Sequence, residues 1–358
     1  MNNLKLRRLF ELSEKMAACD DVDVDLNVLL EQCASDFSDD SQAQDDVLAA
    51  RIFDNMKRAA RELAALRRAK SEIGDKMSGL SDEDREACNE VNRLLDNNLF
   101  DYYYQPIVSA VDGHICSFEA LMRPNSDICK SPLSVIKYAD LMGRLPDIEK
   151  ATFHNVLSSM KDHRFNLDNR CVFINSIPSV KLPQSDLDPI KTAMSEQSDH
   201  IVVEMTEQTE VNDDDLSVTK AFYKHMGIKT AIDDYGTGYS NIQNLIRYSP
   251  DYVKIDRMLI TNVHNDPQKQ HFVREIVDFC HRNNIVALAE GVETFDEMRT
   301  VIMFGVDLIQ GYYTAKPSSE IITSIPHDIR QEIKQCHHDY SRSQRQCIHR
   351  TAYRCSES

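Results

Sequence analysis

The chain has 358 residues, enough for one large domain and a smaller one, and its 42% hydrophobic and 28% charged residues are ordinary for a globular protein. It contains no run of about 18 apolar residues and no signal-peptide core behind MNNLKLRRLFELSEKM, so we expect a cytoplasmic protein without a membrane anchor. The net charge of −17 argues against binding to duplex nucleic acid, and it implies that any anionic ligand is held with the help of cations.

Residues 1–97 are predicted to form a helical region. Apolar side chains recur there at spacings of three and four, which places them on one face of a helix: Leu48, Ile52, Phe53, Met56, Ala60, Leu63 and Leu66. This face is interpreted as regulatory or dimerising, with a packing helix that binds no ligand as the alternative.

Residues 98–325 are predicted to form an α/β barrel of the TIM type, (β/α)₈. Eight runs rich in β-branched and aromatic residues alternate with helical patterns: YYYQPIV, ICSFEAL, CVFIN, IVVEM, IKTAID, YVKID, IVALAE and VDLIQG. Only a turn with Asp112 and Gly113 separates the first two runs, which is too short for a crossover helix, so these strands should pair antiparallel. An open sheet is disfavoured because no glycine-rich turn follows an early strand.

Residues 326–358 are predicted to be the end of a helix followed, from about Ile333, by a flexible tail. The tail mixes Cys, His and Arg without the spacing of a metal site. A metal-binding role for its Cys and His residues is the less favoured alternative.

Polar residues stand at or near the ends of most predicted strands. In a barrel the carboxyl ends of the strands converge on one face, so these side chains should ring one cavity. An acid that begins a solvated loop or caps a helix is the alternative for any single strand. The residues are Glu119, Asn175, Glu204, Asp233, Asp234, Lys254, Glu290 and Gln310.

Crowded carboxylates repel one another and need cations, and oxygen ligands without Cys or His favour Mg²⁺ or Mn²⁺. The adjacent Asp233 and Asp234 can serve two ions. Lys254 is interpreted as orienting a water or neutralising phosphate charge, with an ion pair to Asp256 as the alternative. Arg123 is a candidate phosphate ligand, although a surface arginine is the alternative.

The sequence resembles the EAL family of cyclic di-GMP phosphodiesterases. The motifs that carry this resemblance occur in the family's order between about residues 100 and 318: QPIVSAVDGHICSFEALMR, FINSIP, EMTE, IDDYGTGYSN, VKIDR, AEGVET and IQGYYTAKP. The resemblance implies hydrolysis of cyclic di-GMP to linear pGpG in a barrel with an antiparallel first strand. It also implies a homodimer formed partly by the barrel face near residues 234–240.

The resemblance implies roles for individual residues. One ion would be bound by Glu119, Asn175, Glu204 and Asp233, and the second by Asp233 with Asp234, while Lys254 and Glu290 would act on the water or its metal. The residues assigned to substrate are Gln105, Leu121, Arg123 and Gln310, and the accessory residues are Glu207, Asp256 and Glu293. A cyclic di-GMP receptor with little turnover, signalling through residues 1–97, is the alternative function.

Overall fold

The computed structural model describes residues 51–56, 79–161, 170–206, 213–236 and 242–355. Contacts divide the chain into two compact units, residues 1–85 with 141–143, and residues 86–140 with 144–358. In the first unit, residues 51–56 are helical and Phe53 is buried. The rest of the predicted apolar face, at Leu48 and at residues 60–66, lies outside the described residues.

The second unit contains a closed barrel whose eight strands follow in sequence order, which confirms the predicted fold. The strand β1 pairs antiparallel with both neighbours, and all other pairs are parallel. The tight turn at Asp112 and Gly113, where the glycine has a φ of 68°, joins the first two strands. The strands are β1 (Phe100–Ser109), β2 (Ile115–Pro124), β3 (Cys171–Ser176), β4 (Ile201–Thr206), β5 (Lys229–Tyr235), β6 (Tyr252–Ile255), β7 (Val286–Ala289) and β8 (Leu308–Ile309).

Helices follow most of the strands and cover the outside of the barrel. Their ends carry expected signals, such as the capping box of Thr294 with Glu297 and the left-handed Gly305. Within the described ranges, no helix is long and apolar enough to cross a membrane. The helices are α1 (Asp82–Asp96), α2 (Pro132–Leu141), α3 (Leu145–Lys161), α4 (Gln184–Glu196), α5 (Asp213–Met226), α6 (Ile242–Tyr248), α7 (Arg257–Ile260), α8 (Pro267–Arg282), α9 (Phe295–Phe304) and α10 (His327–Cys355).

The compact unit that contains the barrel begins at Glu86, earlier than the predicted boundary at residue 97. Val91 and Leu94 of α1 are fully buried, and Asp96 forms an ion pair of 2.8 Å with Arg144. Most of α1 therefore belongs with the barrel. The boundary expected near residue 97 followed the change in pattern from helix to strand, and it stays a prediction.

The chain from Ile333 to Cys355 is part of the helix α10, and the flexibility expected of this segment stays a prediction. Residues 327–355 contain neither glycine nor proline, so nothing in the covalent structure interrupts a helix. Ile333 and Cys336 of α10 are buried in the main hydrophobic core. The polar composition concealed this apolar face.

Alternation along the strands separates the barrel interior from the layer under the helices. Strands β3 to β8 direct apolar side chains into a small interior cluster, among them Phe173, Val202 and Ala231. The intervening residues, such as Val172 and Val203, pack in the larger core that also contains helix side chains. The interior cluster fills the part of the barrel nearer the amino ends of the strands. The next inward-facing residue of each strand lies nearer the carboxyl end.

Candidate active site

The candidate site is a ring of polar side chains directly above the apolar interior cluster. Because strand side chains alternate, a residue two positions after an inward apolar residue also points inward. This relation holds for Asn175, Glu204, Asp233, Lys254, Glu290 and Gln310, each of which follows a member of that cluster or a residue packed on it by two positions. The fold therefore brings these sequence-predicted residues together at the carboxyl face.

Lys254 lies at the centre of this ring and is 1% exposed. Its Nζ is 2.5 Å from Glu204 Oε1, 2.7 Å from Glu290 Oε1, 2.9 Å from Asp233 Oδ1 and 3.5 Å from Glu119 Oε1. The alternative partner, Asp256, instead caps α7 by accepting a hydrogen bond of 2.7 Å from the Met258 N–H. The lysine therefore belongs to the carboxylate cluster.

Burial and mutual repulsion shift the pKa values of the cluster. Burial raises the pKa of Glu204 and of Glu290 well above the ordinary value, and Lys254 opposes this shift in both. Burial, with Asp233 as the next cause, raises the pKa of Asp234 to about 6. Burial disfavours the ammonium of Lys254, but the surrounding carboxylates outweigh it and hold its pKa well above the usual range. The cluster therefore favours added positive charge.

Two overlapping groups of carboxylates have ligand atoms close enough to hold metal ions. One comprises Glu119, Glu204 and Asp233, and the other Asp233, Asp234 and Glu290, with the ligand atoms of each group within 4.8 Å of one another. Asp233 is common to both groups. The donors are all oxygen, which suits a hard divalent cation. Glu204 Oε2 is buried and accepts no hydrogen bond from any described residue, so it has a lone pair available for such an ion.

Gln310 connects the polar ring to β1 through hydrogen bonds. Its amide donates a hydrogen bond of 2.5 Å to Glu119 Oε2 and one of 3.2 Å to Gln105 Oε1. Gln105 in turn donates to the Ala315 carbonyl at 3.0 Å. These bonds leave Glu119 Oε1 facing the amide of Asn175, which donates to it at 3.2 Å. The orientation of Glu119 is thus fixed from two sides.

Asp234 adopts a left-handed backbone with a φ of 55°, a conformation that aspartate tolerates better than most residues. Its N–H donates to Asp233 Oδ1 at 3.0 Å. Backbone strain of this kind gathers at functional sites, because surrounding contacts must maintain it. The turn places two adjacent aspartates on one cavity.

A cavity of about 270 Å³ lies above the ring. Its lining includes the predicted Gln105, Leu121, Asp256 and Glu293 in addition to most of the polar ring. Sequence reasoning missed four further lining residues. Two are glycines, Gly291 and Gly311, and the other two are Arg257, which follows Asp256 directly, and Tyr312, which lies two positions after Gln310. Arg257 Nη2 lies 3.5 Å from Glu293 Oε1 and brings a positive charge to the rim.

The family model described as the EAL domain matches residues 88–317. The chain belongs to the EAL domain family. The match begins within α1, in agreement with the observation that this helix belongs with the barrel.

Two curated relatives of this chain come from Escherichia coli (strain K12). The cyclic di-GMP phosphodiesterase PdeR is 29% identical over 235 residues, which are 63% of this chain and 35% of PdeR. The blue light- and temperature-regulated antirepressor BluF is 29% identical over 255 residues, which are 68% of this chain and 60% of BluF. The chain therefore matches only part of the length of these relatives.

Two solved structures share the EAL barrel. Klebsiella pneumoniae BlrP1, in a manganese and cy-diGMP complex, is 25% identical with a TM-score of 0.56, covering 62% of this chain and 57% of its own. A standalone EAL protein from Vibrio cholerae O395, bound to c-di-GMP, is 28% identical with a TM-score of 0.53, covering 64% of this chain and 96% of its own.

Two predicted EAL site residues lie apart from the cavity or outside the described residues. The Arg123 guanidinium donates to the Met122 carbonyl at 2.8 Å and lies 5.2 Å from the centroid of the Tyr103 ring, and it does not line the cavity. Glu207 falls outside the described residues, as do positions 237–241 of the following loop. The roles assigned to both residues remain predictions.

Glu149 of α3 was missed by sequence reasoning. It is 7% exposed and bonds to the chain directly after Asn175 of the EAL site. The available signal was an acid inside an apolar face, since Ile148, Thr152 and Phe153 around it are buried as well.

Proposed function

We propose that this protein hydrolyses cyclic di-GMP to linear pGpG with the help of two divalent cations, Mg²⁺ or Mn²⁺. The proposal rests chiefly on the two clusters of acidic side chains at the carboxyl face of the barrel, since Asp233 is a member of both clusters. Membership of the EAL family supports it, as do relatives named for this activity and a solved relative in complex with manganese and cy-diGMP.

The chain offers two sets of ligands. Glu119, Asn175, Glu204 and Asp233 would hold one ion, and Asp233 with Asp234 would hold the other, with Glu290 beside it. When bound, such ions supply an activated water and stabilise the negative charge that develops on the reacting phosphate. Because Asp233 belongs to both groups of carboxylates, it would hold the two ions next to each other.

The carboxylates around Lys254 hold its pKa well above the usual range, against the effect of burial. Its ammonium would supply positive charge and hydrogen-bond donors beside the reacting phosphate. The water oxygen forms a bond to the phosphorus and gives up one proton, while the bond from phosphorus to the ribose 3′ oxygen breaks and that oxygen takes up a proton to leave as the 3′ hydroxyl. One 5′ phosphate remains, which gives pGpG.

The substrate would lie in the cavity above the ring. Gln105, Leu121 and Gln310 line it, and Arg257 at its rim has the charge to attract a phosphate. Arg123 would reach the substrate only after leaving its contact with Tyr103.

The test is incubation of the full chain with cyclic di-GMP and either Mg²⁺ or Mn²⁺, followed by chromatography for pGpG. Glu119→Ala should lose product formation, because Glu119 is both a proposed ligand and an anchor for Gln310. Glu86→Ala, at an exposed position of α1, is the matched control and should retain it. Absence of product with both metals from the natural chain would exclude the proposal.

A second candidate function is a cyclic di-GMP receptor with little turnover. The observation that favours it is the relative BluF, which is named as an antirepressor rather than as an enzyme. Tight binding of cyclic di-GMP without pGpG, together with a ligand-dependent change in oligomeric state, would support the receptor function. Rapid formation of pGpG would rule it out.

A further inference from the structure

Glu149 is a buried carboxyl on α3 that holds the end of β3. Its Oε1 accepts a hydrogen bond of 2.6 Å from Ser176 Oγ, and its Oε2 accepts one of 2.9 Å from the Ile177 N–H. Ser176 is the last residue of β3 and Ile177 is the first residue beyond it. One side chain therefore fixes both a hydroxyl and a backbone N–H at the point where the strand ends.

The residue before these two is Asn175, a proposed metal ligand. Neighbouring side chains of a strand point to opposite faces, so Ser176 faces outward to α3 while Asn175 faces the barrel interior. Asn175 donates to Glu119 Oε1 at 3.2 Å. Rotation of the strand end would therefore turn the amide of Asn175 away from Glu119.

We propose that Glu149 is a positioning residue of the metal site, acting through Ser176 and Ile177 to set the direction in which Asn175 points. The inference rests on the proposed function, because it holds that the contact of Glu149 with Ser176 and Ile177 supports metal binding. Partners that orient a metal ligand from behind contribute to metal affinity although they never touch the ion.

The environment of Glu149 favours hydrogen bonding over charge. Burial raises its pKa to about 7, and the bonds from Ser176 and Ile177 oppose this shift. The titratable groups that face it are the partly buried Tyr102 on β1 and the buried Tyr223 on α5, and burial raises the pKa of both phenols. A protonated carboxyl accepts from Ile177 and donates to Ser176, so both contacts survive either charge state.

This geometry distinguishes two substitutions. The amide of Glu149→Gln can accept from the Ile177 N–H and donate to Ser176 Oγ, so it should preserve the position of Asn175. Glu149→Leu leaves both groups without this partner, so the end of β3 loses its outer support.

The experiment measures Mn²⁺ binding to the full chain without substrate, by calorimetry and by the electron paramagnetic resonance signal of free Mn²⁺. Glu149→Leu should weaken binding about tenfold or more, while Glu149→Gln should stay within about threefold of the natural chain. Tyr102→Phe is the matched control, because it removes a partly buried hydrogen bond of 3.2 Å to Thr152 of the same helix and should leave Mn²⁺ binding unchanged.

The outcomes separate the two proposals. Mn²⁺ binding by the natural chain with equal affinity in Glu149→Leu would overturn the inference and leave the proposed function standing. If the natural chain binds neither Mn²⁺ nor, by calorimetry, Mg²⁺, the proposed function is overturned, and the inference with it. If Glu149→Leu does not fold, Ser176→Ala decides: the inference requires weaker Mn²⁺ binding from the loss of that one bond.

Discussion

Lys254 shows how a single cation makes a buried acidic cluster tolerable in a folded protein. Its ammonium contacts Glu204, Asp233 and Glu290 within 2.9 Å, and all four side chains are largely removed from water. Carboxylates in such a place would otherwise repel one another or take up protons. The lysine therefore contributes to the stability of the site as well as to its chemistry.

Replacing this lysine should be costly when divalent cations are absent. Lys254→Met leaves buried carboxylates without their cation, and we expect the free energy of unfolding at pH 8 to fall by about 3–5 kcal/mol. Lys150→Met, which removes a half-exposed partner of Asp186, is the control and should cost no more than about 1 kcal/mol. Urea unfolding with a chelator present measures both, and equal small losses would contradict this account.

Glu149 gives a pH dependence of stability whose sign follows from its raised pKa. The folded chain keeps the proton of Glu149 up to about pH 7, whereas the unfolded chain loses it near the ordinary value of 4.5. The folded state thus binds more protons in this window, so the contribution of Glu149 to stability declines as the pH rises through it.

Glu149→Gln cannot ionise and should lack this decline. Relative to the natural chain, the variant should gain up to about 3 kcal/mol of unfolding free energy between pH 4.5 and pH 8. Urea unfolding at these two pH values measures the difference. The same stability difference at both pH values would show that Glu149 does not titrate in the way its burial implies.

At the scale of elements, α1 is predicted to be part of the barrel's structural unit. Leu94→Ala removes a fully buried side chain and should lower the unfolding free energy by about 2–5 kcal/mol. Leu133→Ala is the matched control, because Leu133 is 78% exposed, and it should change stability by less than about 0.5 kcal/mol. Similar effects of the two substitutions would contradict the burial of α1.

The strands were predictable as short runs of β-branched and aromatic residues, and their polar residues were predictable as a site because they stand at strand ends that converge in a barrel. The runs that end in Glu204 and Glu290 show an apolar residue two positions before each acid, which the structure places in the barrel interior. The helix after Ile333 was not predictable by the same reasoning, since its composition is polar. Short apolar runs can be recognised in the sequence, whereas the face of a helix that packs against the core depends on tertiary contacts.

Contacts within the site depended on geometry that no local pattern encodes. The sequence placed Lys254 among acids but left Asp256 open as its partner, and only the strand register decides which carboxylates it reaches. Glu149 was missed for the same reason, because it lies on a helix and acts on a strand that follows it in the chain.

At the scale of the whole molecule, a homodimer remains a prediction. It rests on the family resemblance, and the loop residues 237–241 assigned to the contact lie outside the described residues. Light scattering of the full chain should give twice the monomer mass of 41.0 kDa. A chain shortened to begin at Gly79 would test whether residues 1–78 contribute, and a monomeric full chain would contradict the prediction.

The central claim is that the two acidic clusters with Asp233 in common bind the metal ions on which hydrolysis of cyclic di-GMP depends. The most direct measurement is chromatography of cyclic di-GMP after incubation with the full chain and Mn²⁺, with and without a chelator. We predict pGpG from the natural chain and from Asp278→Asn, whose carboxylate is 60% exposed on α8, but none from Asp233→Asn or with the chelator. Equal product from Asp233→Asn, or product formation that the chelator does not affect, would contradict the account.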